Sequence, residues 1–388
     1  MNIKHIRIGL CLGFMLLILS GCMSRLRPET IIIPDTAEEV PEDRGGEAFE
    51  IRTLYRLPFM HEKSTSEFRW SSPESLVRVY WGDKGNQTIE QYATPYEKSQ
   101  KLLDLDFYTT DLTGLSPDGR YFAGLRYSKN DVDAGEFSLS LVTLSDGTVQ
   151  VINTVHSVAR QGPRSLAWSD NSRFLSYFSL SEQDETEINV YDAESRTKKS
   201  YTMPDLNKTA YFYSIKLSDD GSSALIVKAE KGKLTSFVLG RWKGSQFVSE
   251  YEHTLNDNLQ VDWLDKDRIA FVGTDGTLFT YDRRNAGVSV LLDQAGSFAL
   301  SKDRQYIAYT TEEATVDVAK LQGNNLLNKK SVYRGFVASQ MAWSPDNGAL
   351  LIQGRKPYDG VSAAQPAAPK VELYDSYNLQ SIIATFQR

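Results

Sequence analysis

The sequence predicts an all-β fold, a single β-propeller of four-stranded blades, seven by its repeats with six to eight left open, that follows an export signal and a flexible tether. Three observations predict it. First, one short phrase recurs seven times, a β-like run that closes on Trp or Leu and passes into a polar turn. The copies are Trp70-Ser71-Ser72-Pro73, Leu115-Ser116-Pro117-Asp118-Gly119, Trp168-Ser169-Asp170-Asn171, Leu217-Ser218-Asp219-Asp220-Gly221, Trp263-Leu264-Asp265-Lys266, Leu300-Ser301-Lys302-Asp303 and Trp343-Ser344-Pro345-Asp346. Second, the steps between these anchors are 45, 53, 49, 46, 37 and 43 residues, the period of a four-stranded propeller unit. Third, the runs beside the phrases alternate apolar and polar residues with period two, as half-buried strands do.

At the amino terminus, Lys4, His5 and Arg7 precede an apolar run from Ile8 to Leu19. Twelve apolar residues are too few to cross a hydrocarbon core of about 30 Å, so the run reads as a secretion signal. The tetrad Leu19-Ser20-Gly21-Cys22 that follows resembles a bacterial lipobox. The resemblance implies that residues 1–21 are removed and that the Cys22 thiol carries diacylglycerol, with the new amino terminus commonly acylated as well, palmitate being the expected chain. Two or more chains turn marginal membrane affinity into a stable anchor. Met23 stands where an inner-membrane retention signal would usually show Asp, which implies the outer membrane in a cell that has two. Cys11 and Cys22 are the only cysteines, so the mature chain would hold one, with no disulfide and no thiol nucleophile.

Residues 22–48 form the expected tether, mixed proline and acidic sequence with little to bury beyond Ile31, Ile32 and Ile33. Residues 49–388 form the expected propeller. Phe49, Ile51, Thr53, Tyr55 and Leu57 alternate with more polar neighbours and read as a strand that pairs with the last blade, closing the ring and removing an exposed edge. Strands are expected at Arg120–Tyr127, at Phe174–Phe178, Glu187–Asp192 and Lys198–Met203, and at Leu350–Gly354, Val371–Asp375 and Ser381–Phe386. In the turn Ser116-Pro117-Asp118-Gly119, Pro fixes φ, Asp caps with its carboxylate and Gly accepts positive φ.

The position two before each anchor is mostly large and apolar: Phe68, Thr113, Leu166, Ile215, Val261, Phe298, Met341. The position one before it is often small: Arg69, Gly114, Ala167, Lys216, Asp262, Ala299, Ala342. Such sheets can stack on both sides, so the anchor tryptophans are expected to pack between blades rather than form a ligand platform. These phrases, above all Leu115-Ser116-Pro117-Asp118-Gly119-Arg120 and Trp343-Ser344-Pro345-Asp346, resemble the repeats of TolB-like β-propellers, a WD-repeat-like architecture, and of the amino-terminal propellers of prolyl-oligopeptidase-type peptidases. TolB itself carries a further α/β domain and the peptidases a hydrolase domain, neither of which has room here. The resemblance therefore implies an interaction module.

The formal charge of −7, or −9 once Lys4 and Arg7 are lost, disfavours nucleic acid as a partner. No Gly-x-Ser-x-Gly elbow, His-Glu-x-x-His or phosphate-binding loop occurs, so no catalytic residue, metal or cofactor is assigned. His61, His156 and His253 are isolated in sequence. The acid sets Asp104/Asp106, Asp131/Asp133 and Asp262/Asp265/Asp267 lack EF-hand spacing and read as turn residues. The candidate binding residues lie on loops that link the last strand of one blade to the first of the next, which cluster around one mouth of a propeller: Tyr108, Asp111, His156, Arg160, Gln161, Arg164, Tyr211, Tyr213, Asn256, Asp257 and Arg334. Tyr and Arg contribute most at protein interfaces. The function expected is therefore a non-enzymatic, lipid-anchored scaffold for a protein or peptide at the cell envelope, its oligomeric state open. Two alternatives stand beside it: an envelope enzyme on glycans or lactones with converging carboxylates at the channel mouth, and a glycan-binding lipoprotein using Trp81 or Trp242.

Overall fold

The computed structural model describes residues 30–32, 49–57, 68–81, 87–105, 114–127, 137–155, 166–181, 185–204, 206, 210–311, 314–355 and 379–387. Every regular element among them is a strand. Successive strands run antiparallel, so sheets assemble in chain order. The first sheet contains β3 (Arg69–Ser72), β4 (Ser75–Trp81), β5 (Gln87–Ala93) and β6 (Ser99–Leu105). The next has β7 (Tyr121–Tyr127), β8 (Phe137–Thr143) and β9 (Val149–Val155), with Leu115 bridging to Phe122 at its inner edge.

An eight-stranded sheet follows in two halves. One is β10 (Ala167–Trp168), β11 (Phe174–Leu180), β12 (Thr186–Asp192) and β13 (Thr197–Thr202); the other is β14 (Tyr211–Leu217), β15 (Ser223–Ala229), β16 (Ser236–Lys243) and β17 (Gln246–Thr254). Among the described residues, strand pairing between the halves is a single parallel bridge, Thr202↔Gln246. Two further four-stranded sheets are β18 (Val261–Trp263), β19 (Arg268–Val272), β20 (Leu278–Asp282), β21 (Gly287–Leu292), and β22 (Phe298–Leu300), β23 (Tyr306–Thr310), β24 (Thr315–Gln322), β25 (Asn325–Arg334). The last sheet joins both ends of the chain. Outward from β26 (Val337–Trp343) come β27 (Ala349–Arg355), β28 (Leu379–Phe386), β2 (Ile51–Arg56) and β1 (Thr30–Ile32).

The amino-terminal strand predicted from Phe49 to Leu57 is thus β2, and it pairs Thr53 with Thr385 and Tyr55 with Ile383. Within the stretch read as tether, Thr30–Ile32 adds one more strand outside it. Ser381–Phe386 lies within β28, whereas Val371–Asp375 and Cys22 lie outside the described residues.

The arrangement is propeller-like because the hydrophobic core lies between sheets and runs around a ring. Seven clusters of buried side chains each span neighbours: Val77 and Ile89 meet Phe122 and Val142; Leu139 and Leu141 meet Trp168 and Tyr177. The two halves of the large sheet meet through Phe178, Ile188, Ile215 and Phe247. Next come Phe237 with Trp263 and Phe271, Val272 with Leu300 and Tyr309, and Val318 with Trp343 and Ile352. The seventh cluster packs Phe68, Trp70 and Tyr92 on Leu351 and Ile383, joining the first sheet to the last. That contact closes the circle. Burying apolar faces on both sides of every sheet supplies the driving force, at roughly 25 cal/mol per Å² of apolar surface removed from water.

The anchor tryptophans are stapled as well as packed. Each is buried, and each indole N–H donates to the backbone carbonyl one residue before the anchor of the preceding sheet: Trp70 to Ala342 at 2.9 Å, Trp168 to Gly114 at 2.8 Å, Trp263 to Lys216 at 3.2 Å and Trp343 to Ala299 at 3.1 Å. The approach does not itself demand a small residue there, since Lys216 accepts in the same way, but Gly114 has a further constraint from its own sheet. At Gly114 a Cβ would come within 1.7 Å of the Ala123 carbonyl oxygen. At the seam between first and last sheets, the fully buried Gln353 accepts from Phe68 N–H at 2.8 Å and donates to its carbonyl at 3.0 Å, extending the clasp with a side-chain amide.

Candidate functional site

Each four-stranded antiparallel unit is entered and left at the same end, so the ring has two unlike faces. One carries the turns after the first strands; the other carries the links between units. The turn face is built from the repeated phrase. Ser116, Ser169, Ser218, Ser301 and Ser344 each donate from Oγ to the turn carboxylate or amide, Asp118, Asn171, Asp220, Asp303 or Asp346, at 2.6–2.7 Å. The same Oγ accepts the backbone N–H five residues on, at 2.8–3.1 Å. Gly119 and Gly221 take positive φ as the sequence predicts, and Ser172, Arg304 and Asn347 take it where no glycine is present. Burial alone would raise the Asp118 and Asp220 carboxyls, but the serine hydroxyls and backbone N–H groups hold both below their ordinary range.

These turns also bind one another around the ring. Asp118 N–H donates to Ser172 Oγ at 2.9 Å, Asn171 N–H to Asp219 at 2.8 Å, and Lys302 N–H to the Asn347 side chain at 3.0 Å. Inside this belt lies a network that the sequence reading missed. Lys216 Nζ sits 2.9 Å from Asp170 and 2.6 Å from Asp262, while Arg304 pairs with Asp170 and reaches Asp262 at 3.9 Å. Asp170 comes from the turn after β10, Lys216 from β14, Asp262 from β18 and Arg304 from the turn after β22, so four successive units converge on the axis.

Burial opposes charge on Lys216, Arg304 and Asp262, yet the partners win. Desolvation would lower Lys216 and Arg304, but Asp170 and Asp262 hold both above their ordinary values. Desolvation would raise Asp262, but Lys216 and Arg304 hold it below. A signal for this network was present. Lys216 and Asp262 carry opposite charge at equivalent positions of adjacent repeats, where four of the other five repeats carry Gly or Ala.

The acids Asp262, Asp265 and Asp267 do not gather. Asp262 faces the channel network, and Asp265 caps its own turn by accepting from Asp267 N–H at 2.8 Å and Arg268 N–H at 2.9 Å. Asp104 pairs with exposed Lys101 at 2.7 Å. Among the described residues, every carboxylate displaced from its ordinary pKa range is displaced downward, including Asp192, held at about 2 by Arg173. His253 stands apart from any metal cluster, half-buried against Phe271 with ring centroids 4.7 Å apart and Nδ1 2.8 Å from the Thr254 carbonyl.

On the linking face, Tyr211 and Tyr213 begin β14, exposed at 43% and 40%, and meet edge to face at 5.0 Å. Leu234, 65% exposed, lies on the turn between β15 and β16 at the same end of that sheet. Asp257 is exposed between β17 and β18, and Asn258 holds the Gly296 carbonyl at 2.5 Å. Arg334 ends β25, with Nε donating to Thr315 at 3.2 Å. The structure thus puts Tyr211, Tyr213, Asp257 and Arg334 at this one face. Tyr108, Asp111, His156, Arg160, Gln161 and Arg164, together with His61, lie outside the described residues.

Of the two tryptophans outside the anchors, Trp242 is half-buried; the Trp81 side chain lies outside the described residues. Trp242 stacks on Tyr201 at 4.0 Å and donates to the Gly221 carbonyl at 2.8 Å.

Comparison with known proteins supports the architecture. No family model matches the chain, and no curated protein matches its sequence. Solved structures do. An oligogalacturonate lyase in complex with manganese aligns over 93% of this chain and 98% of its own, at TM-score 0.54 and 11% identity. U3-55K aligns over 86% and 98%, at 0.53 and 11%. A chain of the mitotic checkpoint complex aligns over 90% and 99%, at 0.52 and 12%. At such identities the likeness is one of fold. An enzyme and a subunit of an assembly share it, so fold alone does not choose a function.

Proposed function

We propose that this chain is a non-enzymatic, seven-bladed propeller, anchored to a membrane of the cell envelope through lipid on Cys22, that binds a protein or peptide partner on its linking face. The count of seven takes the two halves of the eight-stranded sheet as separate blades. Their single bridge and the seven inter-sheet clusters support that reading. The observation that carries the choice of face is the contrast between the two ends of the channel. At the turn end the charged side chains are engaged with one another, whereas the linking end presents the unburied Tyr211–Tyr213 pair. Exposed tyrosines on a rigid strand offer large contact area at low entropic cost.

The enzymatic alternative asks for converging carboxylates, one of them protonated at neutral pH. Asp170 and Asp262 do converge, but on Lys216 and Arg304, and Asp262 is held ionised. That arrangement favours a structural role. The test is cross-linking and affinity capture from detergent-solubilised envelopes, with the wild-type chain against Tyr211→Ala/Tyr213→Ala. Loss of a partner from the variant supports the proposal, and unchanged recovery of every partner removes this face from it. Metabolic labelling with a palmitate analogue tests the anchor: Cys22→Ala should lose the label.

A further inference from the structure

On the turn face, a cleft of about 720 Å³ opens between the unit β14–β17 and the unit β18–β21. It is remote in kind from the linking face, and its lining joins one half-exposed indole to charged and hydroxyl side chains. From one side comes Trp242, its ring fixed by the stack on Tyr201 and the bond to Gly221. On the other side Tyr281 is buried, 5% exposed and stacked on Tyr251 at 3.8 Å, so it backs the cleft without offering it an open ring face. Between them Glu250 pairs with both Arg241 and Arg283, and Arg283 donates to Ser223 Oγ at 2.8 Å.

We infer that this cleft is a binding site for a neutral oligosaccharide. The volume lies within the roughly 300–1,000 Å³ of small-molecule pockets. The charged side chains that line it balance, Arg241, Lys266 and Arg283 against Asp220, Glu250 and Asp267, so no net field selects an anion or a cation. A sugar offers what the lining complements. Its C–H face can pack on the Trp242 ring, and its adjacent hydroxyls both donate to a carboxylate and accept from a guanidinium. Because stacks and ion pairs already lock Trp242, Tyr281, Glu250 and Arg283, binding would order few side chains. A site of fixed polar groups distinguishes a hydroxylated ligand strongly from one without hydroxyls.

The test is isothermal titration of the detergent-solubilised mature chain with N-acetylchitotetraose, maltotetraose and cellotetraose, and with a hyaluronan tetrasaccharide as acidic probe. The expected result is that at least one neutral probe binds, and that Trp242→Ala weakens it at least about tenfold. Because Trp242 also packs, Ser222→Trp is the second variant. Ser222 is exposed at the cleft, so an indole there fills the space without removing core, and it should likewise weaken binding. No binding of any neutral probe at millimolar concentration overturns the inference. Undiminished binding by the Ser222→Trp chain, or tighter binding of the acidic probe than of every neutral one, does so too.

Discussion

The two ends of the channel are made from the same strands and have opposite chemistry. At the turn end, polar groups satisfy one another: serine with aspartate in each turn, turn with turn around the ring, and Lys216 and Arg304 with Asp170 and Asp262 across the axis. At the linking end, Tyr211 and Tyr213 face solvent a few residues upstream on the very strand that carries Lys216. On the function proposed, the difference separates stability from recognition. Charges taken largely out of water stabilise only when their partners are in place, whereas an exposed aromatic contributes little until something covers it.

The largest effect should come from breaking the ionic end. Arg304→Met leaves Asp170 and Asp262 to share Lys216 alone. Removing one partner from a largely buried network costs about 2–4 kcal/mol, the pairs here being roughly a fifth to a quarter exposed. Guanidinium unfolding of the soluble ring measures it, and a loss within 0.5 kcal/mol, the usual range for surface substitutions, would mean that the network is not cooperative. Adding Lys216→Met should cost less than the sum of the single changes, because the residues share partners.

A pH series sharpens the same point. Asp262 is held below 3.8, so its stabilisation is complete above that value and is lost as pH falls through the lowered one. Lys216 is held above 10.5, so its stabilisation is complete below that value and is lost as pH rises through the raised one. Stability from this network should therefore be level between these limits. The gap between wild type and Arg304→Met should narrow as pH drops below 3.8, and a gap that stays constant into stronger acid would place the cost elsewhere.

A smaller effect is expected from the staples. Trp343→Phe keeps an aromatic ring between β22 and β26 but removes the donor to Ala299, at a cost of about 1–2 kcal/mol. Trp168→Phe, which removes the donor to Gly114, should cost the same within about 0.5 kcal/mol, since the two indoles occupy equivalent seams. Unequal losses in thermal unfolding would show that the ring's seams are not equivalent.

The repeated architecture was legible because each unit writes its own turn: Leu115-Ser116-Pro117-Asp118-Gly119 specifies a capped turn at positive φ whatever surrounds it. Ring closure was legible from the alternation of Ile51, Thr53 and Tyr55. What depends on distant partners was not. Arg304 is a turn residue in sequence, and only closure of the ring brings it to Asp170, 134 positions away. Gln353 likewise looked like any polar residue of a strand, yet it is fully buried because it serves the Phe68 backbone of the opposite end of the chain. On the linking face, the exposure of Tyr211 and Tyr213 followed from loop position, which periodicity alone would not have distinguished from core.

The last contrast lies within one strand. Phe212 alternates with Tyr211 and Tyr213, yet it is 4% exposed and stacks on Phe178 at 5.1 Å across the two halves of the large sheet. Phe212→Ala should therefore cost about 3–5 kcal/mol by leaving a cavity between units. Tyr211→Ala and Tyr213→Ala, at the same backbone and with similar loss of ring area, should each change stability by no more than about 0.5 kcal/mol. If the exposed pair is kept for a partner rather than for the fold, its removal leaves unfolding nearly unchanged and abolishes capture. A stability loss at Tyr211 or Tyr213 as large as that at Phe212 would instead make them part of the core's rim.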